Sequence, residues 1–164
     1  MISRMTEAMI HFYKGSVRDI EHFLKVHAYA RLIGRLEGLD RETQDILEMA
    51  AVVHDISCPI LRERFGNANG KLQEEMSGEI LAPFLDAFEI PMEVKERLLF
   101  LVSHHHTVTS VDGMDYQILL EADFLVNAKE GNMTKDAIQA FCDHTVKTAA
   151  GKRLFDSMYL GKEQ

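Results

Sequence analysis

The first residues that could carry out chemistry are an adjacent histidine and aspartate, His54 and Asp55, at the end of an apolar stretch. The preceding residues 46–53 include leucine, methionine and alanine, which favour a helix, and Asp40 is a suitable N-cap for it. An imidazole and a carboxylate at the end of a buried helix are costly unless a partner satisfies them. A divalent cation would do so, because both groups are metal ligands. Taken alone, the dipeptide is equally typical of a helix end with a capping aspartate.

A second candidate lies on the preceding amphipathic segment, residues 17–37. His22 and His27 occupy the two edges of its apolar face, so helical geometry alone does not choose between them. For either histidine, the simpler interpretation is a hydrogen-bonded packing residue.

Two further signals occur later in the chain. His104, His105 and His106 close the apolar segment 91–105, where exposed histidines could also simply complement the helix dipole. Asp123 lies among leucine and valine residues, an expensive position for a lone carboxylate unless it is paired or bound to a metal. Glu121 points to another side of the same helix, and we expect it to be exposed or to support the site from outside.

The fold class predicted from these patterns is all-α, because the chain has only three prolines and long helical periodicity. Residues 57–70 are predicted to form the longest irregular stretch, which is a candidate substrate lid, and Pro83 is expected to kink its helix or start a new one. We expect a single domain over residues 1–164, with a motif-bearing core at about 16–130 and C-terminal helices at 131–164. The predicted helices span residues 2–14, 17–37, 40–54, 71–89, 91–105, 115–129, 134–146 and 147–160.

Composition limits the possible partners. The formal net charge of −8 argues against binding of nucleic-acid polymers or acidic membranes. The negative net charge does not exclude a small phosphorylated substrate, because a bound metal reverses the local charge. The two cysteines are expected to be reduced thiols, and no signal peptide or membrane-spanning run is recognisable, so we expect a cytoplasmic protein. The oligomeric state is left open.

The chemical signals lie on four different predicted helices, which could project them into one interior site. The ligand types are imidazole and carboxylate without thiolate. This set suits iron, manganese, cobalt, nickel or zinc, and it argues against a structural zinc finger.

The order of these residues resembles that of the HD-domain metal-dependent phosphohydrolase superfamily. His22 is followed by Val26, His54 and Asp55 end an apolar helix, histidines end a later helix, and Asp123 follows within the segment 121–125. The resemblance covers about residues 16–130. It implies an HD-domain helical bundle with an interior metal site, in which His22, His54, Asp55 and Asp123 are the metal ligands.

Many relatives hold two ions, with the aspartate of the His-Asp pair bridging them and extra histidines on the second ion. At one of these extra positions the chain has Glu74 rather than histidine. This departure puts a dinuclear site in doubt, although Glu74 could itself ligate through oxygen. His104 and His105 match the later histidine pair. The resemblance therefore implies a divalent transition metal, as one ion or two.

The activity expected from these residues is metal-dependent hydrolysis of a phosphoester bond in a nucleotide or other small phosphorylated metabolite, by a metal-activated water. His54 and Asp55 would act at the reaction centre, and His104 or His105 could protonate the leaving oxygen. Two other functions stay open. One is a metal-bound ligand-sensing or interaction module without catalysis, and the other is a di-iron oxygenase.

Overall fold

The computed structural model describes residues 1–161, and within that range it contains α-helices and one short π-helix but no strand. This confirms the predicted all-α class. No helix in the described range is long and apolar enough to cross a membrane. The helices are α1 (Ile2–Phe12), α2 (Val17–Leu36), α3 (Arg41–Val53), α4 (Cys58–Phe65), α5 (Gly70–Leu85), α6 (Met92–Val102), α7 (Met114–Glu130), α8 (Lys135–His144), α9 (Ala149–Phe155) and a terminal π-helix (Asp156–Leu160).

The centre of the bundle is α3, whose residues 47–53 are all buried. It packs against α1, α2, α6 and α7, so apolar side chains are needed on every side of its second half. Helix α7 is the second buried element, and of residues 115–128 only Phe124 and Asn127 are not buried. Polar residues at the end of α3 and in the middle of α7, such as His54 and Asp123, therefore lie in the interior.

The N-cap predicted at Asp40 is confirmed, and the starts of α8 and α2 can be compared with it. The side chains of Asp40 and Thr134 accept hydrogen bonds from the backbone N–H groups of Thr43 and Ala137, as an N-cap does. Ser16 occupies the N-cap position of α2, but its hydroxyl donates to Asp19 instead.

The prediction of an irregular segment over residues 57–70 is wrong for more than half of its length. Cys58–Phe65 forms α4, with Pro59 in the first turn and Gly66 ending the helix at a φ of 72°. Proline at the start and glycine at the end are favourable for a short helix, so the residues that suggested a loop are the boundaries of a helix. Residues 66–69 stay non-helical.

Pro83 does not start a new helix, because α5 continues through it to Leu85. The proline lies in the last turn, where its missing N–H removes only one hydrogen bond near a helix end. Helix α6 ends at Val102, so His104, His105 and His106 lie in the turn that follows it rather than within it.

The expectation that Glu121 is exposed or supports the site is wrong, because its side chain is completely buried and binds elsewhere. Its Oε1 atom accepts hydrogen bonds from the Gln117 amide (2.7 Å) and from the backbone N–H groups of Lys147 (2.8 Å) and Thr148 (3.1 Å). The hydroxyl of Thr148 donates to Oε2. Glu121 therefore holds the start of α9 against α7.

Replacing Glu121 by alanine should destabilise the protein strongly, because it leaves several buried donors without an acceptor. We expect the free energy of unfolding to fall by about 3 kcal/mol, measured by urea denaturation followed by circular dichroism. Glu75, which is exposed and pairs with Lys71 at 3.8 Å, provides the control. Glu75→Ala should change stability by less than about 0.5 kcal/mol. Equal effects of the two substitutions would contradict the role of Glu121.

Candidate metal centre

Three helices, α2, α3 and α7, bring two histidines and two aspartates to one point in the interior. His22 Nε2 on α2 lies 3.3 Å from His54 Nε2 at the end of α3 and 3.3 Å from Asp123 Oδ1 on α7. The Oδ2 atom of Asp55 lies 3.5 Å from His22 Nε2 and 3.7 Å from His54 Nε2, and His54 Nε2 lies 3.4 Å from Asp123 Oδ1. The predicted set His22, His54, Asp55 and Asp123 is thus assembled in the fold.

These separations are close to those between ligands of a single ion. Atoms at about 2.1 Å from a common metal lie roughly 3.0–3.4 Å apart in octahedral or tetrahedral geometry. The distances of 3.3–3.7 Å within the cluster are only slightly longer.

Hydrogen bonds on the side facing away from the cluster fix the orientation of the His22 and His54 rings. The Nδ1 atom of His54 lies 2.9 Å from the carbonyl oxygen of Ala51, and that of His22 lies 3.0 Å from Glu130 Oε2. Each Nδ1–H can therefore donate outward, which leaves the Nε2 lone pair aimed into the cluster. A histidine that binds a metal is commonly held by such a partner on its other nitrogen.

His105 adds a third imidazole beside the cluster. Its Nδ1 donates to the carbonyl oxygen of Val102 at 2.7 Å, and its Nε2 lies 3.4 Å from Asp55 Oδ1. Within residues 1–161 this buried Nε2 atom has no hydrogen-bond partner. A buried nitrogen without a partner is costly, and together with two carboxylates and two further lone pairs it fits a bound divalent cation.

The charges of the cluster also favour a cation. Burial would lower the pKa of His22, but the hydrogen bond with Asp123 and the charges of Asp55 and Asp123 raise that pKa to about 9. Burial would raise the pKa of Asp123, but hydrogen bonds from His22 and His54 hold it well below its usual range. The charges of His54 and His105 likewise lower the pKa of Asp55, against the effect of burial. Both carboxylates therefore stay ionised and attract positive charge, either protons or a metal.

The other predicted ligands lie outside this cluster. The ring of His104 stacks on Phe100 with centroids 4.4 Å apart, and its Nδ1 donates to the Phe100 carbonyl oxygen. The carboxylate of Glu74 accepts hydrogen bonds from the Thr107 hydroxyl (2.9 Å) and the His106 backbone N–H (3.2 Å). The arrangement thus gives no geometric support to a ligand role for His104 or Glu74.

The tie between His22 and His27 is resolved by their different neighbours. His27 Nε2 lies 3.0 Å from Glu48 Oε2, on the other edge of α2 from the cluster.

His106 is near the cluster, with its ring centroid 3.9 Å from that of His105. Burial lowers the pKa of His106 to about 4, and the charge of His105 acts in the same direction.

Sequence reasoning missed two residues that support the ligands. The Asn127 amide donates to Asp123 Oδ1 at 2.9 Å, and Glu130 holds His22 as described. Asp123, Asn127 and Glu130 are spaced by four and three residues, which places them on one face of a helix. That spacing was visible in the sequence and could have identified both residues.

Removing Asp123 should abolish most metal binding, because its Oδ1 lies within 3.4 Å of two imidazole nitrogens. We expect untagged Asp123→Ala to contain little transition metal when it is analysed by plasma mass spectrometry. His104→Ala is the matched control, and it should keep the wild-type metal content. Asp123→Ala with unchanged metal and unchanged circular dichroism would contradict the assignment.

Glu130 should tune the affinity for metal through His22 rather than bind the metal itself. We expect Glu130→Ala to weaken metal affinity by about 10–100-fold in a competition assay with a chelating dye. Glu21 offers a matched control, because it also contacts Lys25 (3.7 Å) but its side chain is 60% exposed. Glu21→Ala should shift the affinity less than about twofold. Similar losses in both variants would indicate a general charge effect instead.

Comparisons with known proteins agree with this geometry. Residues 19–141 match the profile of the HD domain, and this range contains all five residues of the cluster. Searches of curated proteins and of solved structures return no significant match. The match covers about three quarters of the chain, and it includes the His, His-Asp and Asp positions in the expected order. The chain therefore belongs to the HD-domain superfamily of metal-dependent phosphohydrolases.

Proposed function

We propose that the protein is a metal-dependent phosphohydrolase that hydrolyses a phosphoester bond of a nucleotide or other small phosphorylated metabolite. The observation that carries this proposal is the convergence of His22, His54, Asp55 and Asp123, whose imidazole nitrogens and carboxylate oxygens lie 3.3–3.7 Å apart. Membership of the HD-domain superfamily supports it. We include in the proposal a cytoplasmic location and the absence of a nucleic-acid polymer as partner.

The four converging residues would hold one divalent transition metal. His105 is the only other predicted ligand that borders them within the described chain, since Glu74 and His104 are engaged elsewhere. A second ion could use the triad of His54, Asp55 and His105, but it would share His54 and Asp55 with the first ion. For this reason we propose a single ion as the resting state.

The chemistry that a divalent cation supplies to a phosphoester is activation of water as the nucleophile and neutralisation of charge on a phosphoryl oxygen. The residues of the protein determine where the reaction takes place. The Asp55 carboxylate is 23% exposed, whereas the rings of His54 and His105 are completely buried. A substrate would therefore approach the cluster from the side of Asp55 and of the cavity that borders His105 and Asp123.

His105 is our candidate for the general acid. Its Nε2 is the cluster nitrogen without a hydrogen-bond partner in the described chain, and His105 is one of the residues that line the cavity where a leaving group would lie. A proton on this nitrogen could pass to the leaving oxygen. Of the two histidines proposed for this role, His104 lies against Phe100 instead.

The test is phosphate release by protein reconstituted separately with manganese, iron, cobalt, nickel and zinc, against a panel of nucleotides and sugar phosphates. We expect release with at least one metal, and a loss of more than about 100-fold in kcat for Asp55→Asn. His104→Ala should keep kcat within about threefold of wild type. Stoichiometric metal without turnover on any substrate would contradict hydrolysis and favour a ligand-sensing module. Oxygen uptake by the iron form would favour an oxygenase.

A further inference from the structure

A cavity of about 290 Å³ opens directly beside the metal centre. His105 and Asp123 form its inner side, and Asn127 lies on the same side. The Asn127 amide is already bound to Asp123, so this wall is continuous with the cluster. A group attached to a phosphate at the metal centre would enter this space.

The outer side of the cavity is apolar and partly aromatic. Phe124, directly after Asp123, stacks on Phe141 of α8 with centroids 3.5 Å apart and an angle of 1° between the ring planes. Val108 and Leu120 complete the apolar lining. Apolar walls with a few polar groups at one end are typical of small-molecule sites.

Met133 forms the movable part of the lining. It lies in the turn between α7 and α8, after Asn132, whose φ is 49°. Its side chain is 38% exposed, although it lines the cavity. An unbranched methionine can adapt to ligands of different shape.

The lining contains no lysine or arginine within the described residues, and its two histidines, His105 and His106, lie next to the metal centre. On α2, Lys25 contacts Glu130 at 3.2 Å and Glu21 at 3.7 Å. Arg62 is bound to Asp19. A second phosphate or a carboxylate on the leaving group would thus meet apolar surface and Asp123 instead of a cation, at a cost in desolvation.

We propose that this cavity binds the leaving group of a phosphate monoester and selects an uncharged, mainly apolar or aromatic group. The inference rests on the proposed phosphohydrolase function and narrows its substrate class. It excludes nucleoside triphosphates and diphosphorylated metabolites as preferred substrates. Phe141 and Met133 are the residues that determine this specificity, because they line the cavity without belonging to the metal cluster.

The first experiment compares three phosphate esters of primary alcohols, so that the leaving alkoxides are chemically similar. These are 2-phenylethyl phosphate, ethyl phosphate and the phosphate ester of 3-hydroxypropanoate. For the metal-loaded protein we expect kcat/KM to be about tenfold higher for the phenylethyl than for the ethyl ester. The carboxylate-bearing ester should be the poorest of the three.

Two variants test the cavity in opposite ways. Met133→Phe should narrow it, and Phe141→Leu should remove part of its aromatic wall. Each should reduce the preference for the phenylethyl ester to below about threefold while the ethyl ester changes little. Met114→Phe is the matched control, because Met114 has nearly the same exposure (40%) and does not line the cavity. It should leave the preference at the wild-type value.

A second readout does not depend on turnover. In protein labelled with ¹³C at the methionine methyl groups and loaded with zinc, 2-phenylethanol should shift the Met133 resonance and leave that of Met114 in place. Met133→Leu assigns the signal.

The two readouts separate the two proposals. No phosphate release from any ester, together with a Met133 shift, would overturn the proposed function and keep the cavity as a ligand site. Release of phosphate with equal kcat/KM for the phenylethyl and ethyl esters, and no Met133 shift, would overturn the cavity proposal alone. A preference for the carboxylate-bearing ester would also overturn it.

Discussion

Three imidazole nitrogens and two carboxylates share one interior space, and the rest of the structure serves to keep them there. Without a metal, the two ionised carboxylates attract positive charge in a medium that screens poorly, and protons on the imidazoles can supply it. The fold sustains this arrangement because each ring nitrogen on the far side has an acceptor. The carbonyl oxygens of Ala51 and Val102 and the carboxylate of Glu130 perform that task. The surrounding hydrogen bonds thus hold the five groups in an arrangement that suits a cation.

The hydrophobic core supplies the rigidity that this enforcement needs. Helix α3 is buried over its whole second half and ends at His54. The backbone carbonyl of Asp55, one residue later, accepts a hydrogen bond from the buried hydroxyl of Tyr13, which comes after α1. The His-Asp pair is therefore fixed by packing on one side and by a distant side chain on the other. Because the Asp55 side chain remains partly exposed, the His-Asp pair is held rigidly and is still accessible to a substrate.

Much of this could be predicted from the sequence, because helical periodicity and the order of His22, His54, Asp55 and Asp123 are local signals. The choice between His104 and His105 was harder. Neighbouring residues at a helix end point about 100° apart, so a single residue decides which ring faces Asp55. Glu121 and α4 were misjudged for other reasons. Apart from Gln117, the partners of Glu121 lie 26 and 27 residues away in sequence, and Pro59 and Gly66 mark helix ends as readily as loops.

The way the three rings are oriented has a consequence for how the site comes into being. His54 and His105 bond to carbonyl oxygens three residues earlier in the chain, so each is aligned as soon as its own helix end forms. His22 is aligned by Glu130, which is 108 residues away. Two of the three histidine rings are therefore oriented as soon as local structure forms, and the third, that of His22, is oriented only when α2 docks on α7. Tight binding of an ion would therefore require this docking, and a bound ion would join the first and second halves of the polypeptide.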